Sequence, residues 1–264
     1  MKLGLENKRV LVTGSTGGIG FASALSFARE GAEVWLNGRT QTRIDAAAEI
    51  IRAQVPGARV SGVAADVTTL DGIDAITAAL PELDVLVNNF GLFEAKPFEE
   101  ITDDDWRRHF EANVMSGVRL SRHYFPGMLA RDWGRIVFVS SESAVQIPPD
   151  MIHYGMTKTA QLALARGLAE RTAGTGVTVN TVLPGPTLTE GVQHLIDDMA
   201  RGRGMDQSEV EAEFFRAMRP SSLLRRFARP EEAANLIVYV SSELATATNG
   251  AALRVDGGVV RAVL

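Results

Sequence analysis

The sequence predicts an α/β protein built on a parallel sheet. Three observations carry this. Short apolar, β-branched runs such as Arg9-Val-Leu-Val-Thr13 and Ile136-Val-Phe-Val139 alternate with helical patterns. The first run leads directly into a glycine cluster, Gly14-Ser15-Thr16-Gly17-Gly18-Ile19-Gly20, and then a helix. A later run stops at Ser140-Ser141, and a helical pattern carrying Tyr154 and Lys158 follows it.

At 264 residues, the chain is long enough for one large domain with a full core. No repeat, low-complexity tract or linker divides it, so residues 1–264 read as a single domain. The 45% hydrophobic and 22% charged residues match a soluble globular protein. A net charge of −5 with no basic block argues against nucleic acid or an anionic membrane as partner. No apolar run approaches the ~18 residues of a membrane-spanning helix. The opening residues lack the basic, apolar and small-residue zones of a signal peptide. With no cysteine, disulfide and thiolate chemistry are excluded, which fits a cytoplasmic protein.

Taken in order, residues 9–13 read as a buried parallel strand, and a helix runs from the glycine cluster to about Glu30, with Gly31 as its stop. Strand, glycine turn and helix together make a phosphate site. The glycines allow close backbone approach, and the helix N-terminus presents free N–H groups and a positive dipole end. The second strand, residues 33–37, ends at Gly38-Arg39-Thr40. Sites for NAD(H) place an acid near this point to hold the ribose 2′-hydroxyl. This chain has Arg39, with Arg43 one helical turn on. Guanidinium groups welcome a 2′-phosphate, so NADP(H) is favoured over NAD(H).

The third strand, residues 60–64, ends at Ala65-Asp66-Val67. Asp66 either accepts from an adenine amino group or caps the next helix with Thr68 or Thr69. The fourth, residues 83–87, closes with Asn88-Asn89-Phe90-Gly91, amides suited to bracing neighbouring backbone. Thr102 and three acids open a long helix with Asn113 well inside it, a poor helix residue whose presence suggests a purpose near Lys158. After the helix of Tyr154, which runs to about Thr172, comes a strand over residues 177–183. It ends at Pro184-Gly185-Pro186-Thr187-Leu188-Thr189, where Thr187 or Thr189 could bond a carboxamide or phosphate. Residues 190–220 read as a mobile helical lid. Pro230 starts another helix, and Asn249 to Gly258 reads as turn, last strand, turn. The four histidines show no metal-ligand spacing along the chain and receive no role.

Tyr154 and Lys158 lie four apart, on one helix face. A phenol with a pKa near ~10 is a poor base at neutral pH. One ammonium at about 4 Å, at an effective dielectric of about 20, supplies on the order of 4 kcal/mol, enough to bring the phenol towards 7–8. Ser141, at the carboxyl end of a strand, adds a hydroxyl where open α/β sheets bind ligands.

With these residues in place, the chain resembles the short-chain dehydrogenase/reductase family along essentially its whole length. The motifs are Thr13-Gly14-x-x-x-Gly18-Ile19-Gly20, Asp66-Val67, Asn88-Asn89-Phe90-Gly91, Asn113, Ser141 thirteen positions before Tyr154, Tyr154-x-x-x-Lys158, Pro184-Gly185 and Val255-Asp256-Gly257-Gly258. The resemblance implies a Rossmann-type, doubly wound parallel sheet of seven strands with helices on both faces. It implies a catalytic set on Asn113, Ser141, Tyr154 and Lys158. Tyr154 would protonate the carbonyl oxygen, Ser141 would hold it, Lys158 would tune the phenol and bind the nicotinamide ribose, and Asn113 would anchor a relay water.

Cofactor contacts would fall on Gly14, Ser15, Thr16, Gly18, Ile19 and Gly20 at the first turn. Arg39, Asp66, Val67, Asn89 and Gly91 would follow, then Tyr154 and Lys158, and finally Pro184, Gly185, Thr187 and Thr189. Phe90 departs from the family's usual alanine, and would either crowd the ribose, shift the loop or pack outward. Glu142 adds a carboxylate near the expected substrate entrance, a hint of basic or polyhydroxyl substrates. The implied activity is an NADP(H)-dependent oxidoreductase interconverting a ketone and a secondary alcohol, in a homotetramer or dimer. The alternatives are a 3-oxoacyl-thioester reductase, an NAD(H)-dependent alcohol or sugar dehydrogenase, and a non-catalytic nucleotide-binding scaffold.

Overall fold

Alternating residues of the short apolar runs face opposite ways, and the fold uses both directions. The computed structural model describes residues 2–263, apart from the side chains of Leu195 and Arg203. Seven strands form one parallel sheet: β1 (Arg9–Val12), β2 (Glu33–Gly38), β3 (Arg59–Ala64), β4 (Val85–Asn88), β5 (Gly134–Val139), β6 (Val177–Pro184) and β7 (Ala252–Val255). Their order is β3-β2-β1-β4-β5-β6-β7, and every neighbouring pair is parallel. The seven-stranded, doubly wound sheet that the resemblance implied is present. Strand order reverses between β1 and β4, and that switch point opens a crevice at the carboxyl ends.

Nine α-helices are present among the described residues: α1 (Gly18–Arg29), α2 (Gln41–Gln54), α3 (Leu70–Ala79), α4 (Asp103–Phe110), α5 (Ser116–Ala130), α6 (Ile152–Glu170), α7 (Glu190–Arg203), α8 (Gln207–Ala217) and α9 (Pro230–Val240). On β1, Val10 and Val12 join a core with Phe27 of α1, Ile51 of α2 and Ile237 of α9. Leu11 points to the other face, with Ile76 of α3, Leu120 of α5 and Ala165 of α6. The same alternation runs along β4 and β5: Val87 and Val137 on the first face, Leu86 and Ile136 on the second. Each fully buried side chain of this size contributes about 1.5–3 kcal/mol.

One difference from the sequence reading bears on the site. The long helix after Thr102 is not continuous. Its first part, capped by Thr102 and Asp105, gives way to a π-helical turn, Glu111–Met115, before α5. Asn113 sits in that turn, and its side chain is bound to the backbone of Leu92, which competes with regular helix geometry. The segment after β6 is a two-helix hairpin, α7 and α8, in which Gly204 in the left-handed region ends α7. It has an apolar cluster of its own: Ile196, Ala200, Val210, Phe215 and Phe227. No helix among the described residues is long and apolar enough to cross a membrane.

Candidate active site

A cleft of about 500 Å³ opens at the switch point. Its floor is the glycine turn after β1. Gly14 and Gly18 hold φ values of 61° and 56°, in the region that favours glycine. A Cβ on Gly20 would sit 2.5 Å from Asn89 Nδ2 and from the Gly14 carbonyl, so only hydrogen fits there. Asn89 holds the turn from the neighbouring strand: its Nδ2 donates to the carbonyls of Thr13 at 2.8 Å and Gly14 at 3.2 Å. Thr13 Oγ1 returns the bond, accepting from the Asn89 and Phe90 amides. α1 begins after Gly17, which has no side chain to cap it, and no acid lies in its first turn. Its leading N–H groups are therefore left for an anion, the donor set a pyrophosphate requires. On these grounds the turn fits a dinucleotide.

The residues expected to meet the cofactor divide into two groups. Thr16, Ile19, Arg39, Asp66, Val67, Gly91 and Thr189 line the cleft beside the glycines and Asn89. Arg39 is exposed, in no ion pair among the described residues. Arg43 also lines the cleft, paired with Glu190 at 3.5 Å. Asp66 lines the cleft, and its Oδ1 accepts from the Thr68 amide and hydroxyl. The N-cap of α3 is Thr69. Ser15, Pro184, Gly185 and Thr187 lie outside the lining. The buried Ser15 hydroxyl oxygen accepts from the Asn37 amide, and Thr187 donates to the Gly185 carbonyl. Their polar atoms are engaged in holding the strand ends. Phe90 packs partly buried against the second core and stands over Gly14, whose Cβ would come within 3.3 Å of it.

Tyr154 and Lys158 project from one face of α6 into this same cleft. Ser141, two residues beyond β5, is the hydrogen-bonding neighbour of the phenol. The electrostatics differ from the expectation of a cation acidifying the phenol. Burial pushes Tyr154 up from its ordinary 10.0; Ser141 pulls it down, Glu142 pushes it up and Arg219 pulls it down, each by less. Burial also lowers Lys158 from 10.5 to about 7. Its Nζ donates to the Val139 carbonyl at 2.9 Å and lies 5.7 Å from the phenol ring centre. Desolvation by burial moves both groups towards their neutral forms. A cationic nicotinamide, when bound, adds the positive charge that favours a phenolate.

Asn113 is buried, and its side chain is tied to Leu92 and Thr157. Oδ1 accepts from the Leu92 amide at 2.7 Å, and Nδ2 donates to the Leu92 carbonyl and to Thr157 Oγ1. Its carbonyl accepts from Gln161 Nε2 at 2.5 Å, and Gln161 Oε1 accepts from Lys158 Nζ at 3.4 Å. The sequence reading missed Gln161; it is three residues after Lys158, and that helical spacing was the available signal. Glu142 is not at an open entrance but 4% exposed. Ser141 donates to its Oε2 at 2.5 Å, and Arg219, just past α8, donates to its Oε1 at 3.0 Å. Arg219 was also missed, because 77 residues separate the partners.

Chain spacing likewise hid a meeting of histidines. His109 and His153 are fully buried with ring centres 4.1 Å apart. With Glu94 they bring three potential ligand atoms within 4.8 Å of one another. Arg108 is ion-paired to Glu94 there.

The chain matches the short chain dehydrogenase family over residues 8–200. It is 47% identical to an uncharacterized oxidoreductase, YvaG, of Bacillus subtilis (strain 168), over the full length of both. It is 32% identical to gluconate 5-dehydrogenase of Gluconobacter oxydans (strain 621H), over 97% of this chain and 95% of that one. Among solved structures, L-sorbose reductase from Gluconobacter frateurii, complexed with NADPH and L-sorbose, superposes with a TM-score of 0.93 at 34% identity, covering all of both chains. Sheet, glycine turn and cleft define an oxidoreductase that binds a nicotinamide dinucleotide. The chain belongs to the short-chain dehydrogenase/reductase family, whose members act on alcohol and ketone groups.

Proposed function

We propose that the protein is an NADP(H)-dependent oxidoreductase that interconverts a ketone and a secondary alcohol, with Tyr154 as the acid and base. One observation carries this reading: Tyr154 and Lys158 face the same cleft as the glycine turn and Arg39. The dinucleotide, when bound, supplies or receives the hydride. Gly14, Gly18, Ile19 and Gly20 seat its phosphates, and Arg39 with Arg43 attracts a 2′-phosphate. Asp66 and Val67 flank the adenine, and Asn89, Gly91 and Thr189 border the nicotinamide end. Tyr154 gives its proton to the carbonyl oxygen in reduction and takes one from the alcohol in oxidation. Ser141 sets the position of the phenol, and Lys158 holds the ribose.

The substrate is a small, polar, hydroxylated ketone. The likeness to a reductase solved with L-sorbose supports this substrate class. The hairpin α7–α8 acts as a lid over the substrate. The protein assembles as a homotetramer. On α6, Met156 and Ala163 are exposed, and a Cβ on Gly167 would meet nothing, which leaves an open face of small residues for a second helix.

The test is NADPH oxidation over a panel of hydroxylated ketones and 3-oxoacyl thioesters. Tyr154→Phe is expected to reduce kcat at least a hundredfold on whichever substrate turns over. Full turnover by the phenylalanine variant would end the mechanism, and preference for the thioester would end the substrate class.

A further inference from the structure

Two buried imidazoles have no part in the reaction described above. His109, on α4, and His153, at the start of α6, are both 0% exposed. His109 Nδ1 lies 2.9 Å from the Asp105 carbonyl. A carbonyl oxygen only accepts, so Nδ1 carries the proton and Nε2 keeps its lone pair. That Nε2 is buried with no hydrogen-bond partner, and so are both nitrogens of His153. Buried polar atoms are almost always paired, so three orphaned ring nitrogens in adjacent rings call for a ligand. One ring nitrogen bound to a backbone carbonyl, with the other left free, is also the usual arrangement of a metal-bound histidine.

A carboxylate completes the group. Glu94, in the segment between β4 and α4, supplies an oxygen, and it and one nitrogen from each ring lie within 4.8 Å of one another. The segment is held there from two sides. The Lys96 amide donates to the Asp150 carbonyl at 2.7 Å, and Lys96 Nζ donates to Asp105 at 2.7 Å. Zinc bonds of about 2.0–2.2 Å set tetrahedral ligand atoms about 3.4 Å apart, so the widest gap must close by up to roughly 1.4 Å. Glu94 is the group free to move, because its side chain is 40% exposed. Arg108 holds it in the metal-free protein. Arg108 also reaches Asp105 Oδ1 at 3.1 Å, and keeps that partner when Glu94 turns inward.

We propose that Glu94, His109 and His153 bind one divalent transition-metal ion of the zinc class. Two imidazoles and a carboxylate suit Zn2+ or Co2+ better than Mg2+ or Ca2+, and a water fills the fourth position. The ion ties the segment after β4 to α4 and α6. Leu92 and Phe93, which line the cleft, directly precede Glu94, and His153 directly precedes Tyr154. The ion therefore braces one wall of the cleft, and no step of the hydride or proton transfer passes through it.

The experiment strips the protein with a chelator and titrates it with Zn2+ alone, and separately with Co2+ for its visible spectrum. Wild type is expected to take up one ion per chain and to show the strong absorption of tetrahedral Co2+. A hundredfold excess of Zn2+ over its Kd should raise Tm by about 5–10 °C. Glu94→Gln should weaken binding at least tenfold, and His153→Gln should abolish it. Glu94→Gln alters a partly exposed side chain, so it keeps the test open if His153→Gln does not fold. The double variant His123→Ala with His194→Ala removes the two exposed histidines and should bind as wild type does. Amide hydrogen exchange over residues 91–97 should slow with Zn2+ in wild type and not in Glu94→Gln.

No saturable binding of either ion would overturn the proposal, and would leave the two imidazoles as a packed ring pair. So would binding unchanged in Glu94→Gln, binding lost in the His123 and His194 double variant, or exchange over residues 91–97 unaffected by Zn2+. None of these readouts needs turnover. Tyr154→Phe should still bind the ion, so a failure of the phenol mechanism is told apart from a failure of this site.

Discussion

Burying Lys158 has a cost, and that cost can be measured. Its pKa falls from 10.5 to about 7 on folding because the side chain is shut away from water. Between those values the unfolded chain keeps the proton that the folded chain has released. Stability therefore climbs as pH rises from about 7 towards 10.5, and the penalty is greatest below about pH 7. The contribution of this one group changes by about 2 kcal/mol between pH 7 and pH 9.

Lys158→Met removes the titration and keeps the side-chain bulk. It also leaves the Val139 carbonyl and Gln161 Oε1 without their donor, a loss of about 1–3 kcal/mol each that does not depend on pH. The sign of the overall effect at one pH is thus set by two opposing quantities, whereas its pH dependence isolates the lysine. At roughly 2–4 °C per kcal/mol, the Tm of wild type should gain about 4–8 °C on the variant between pH 7 and pH 9. Scanning fluorimetry of both cofactor-free proteins at those two pH values gives the number. A Tm difference that stays constant within 1 °C would refute the buried, partly neutral lysine.

Two further outcomes follow from the cofactor half of the cleft. Arg39→Ala should weaken NADPH binding at least tenfold and leave NADH binding unchanged, as read by fluorescence titration with both reduced cofactors; an equal effect on both would remove the 2′-phosphate role. Gly14→Ala forces a side chain onto φ 61° and within 3.3 Å of Phe90; it should cost about 1–2 kcal/mol of stability and abolish dinucleotide binding, measured by thermal melts with and without NADPH.

The sheet could be read from the sequence because its strands are buried on both faces. Val10, Leu11 and Val12 are all fully buried, so β1 is an unbroken apolar run that only a covered parallel strand explains. The glycine turn was equally legible, since Gly14, Gly18 and Gly20 each meet a local backbone demand. What the sequence hid depends on distant partners. Asn113 reads as a poor residue in a long helix; its bonds to Leu92, 21 residues away, accompany the π turn. Glu142 reads as an entrance residue until Arg219 arrives from 77 positions on. The Tyr154–Lys158 pair was found by spacing. Its electrostatics was not, because spacing says nothing of how deeply an ammonium is buried or which carbonyl it faces.

The hairpin α7–α8 keeps its own apolar centre, around Phe215 and Phe227, apart from the two cores that flank the sheet. On the proposed function, chemistry and selectivity would be mounted on separate supports: proton handling on the rod of α6 and the end of β5, shape discrimination on a panel with independent anchorage. Such a panel can drift, or be exchanged wholesale between relatives, while the reacting groups stay in register. One scaffold can in this way serve many different alcohols without being rebuilt for each.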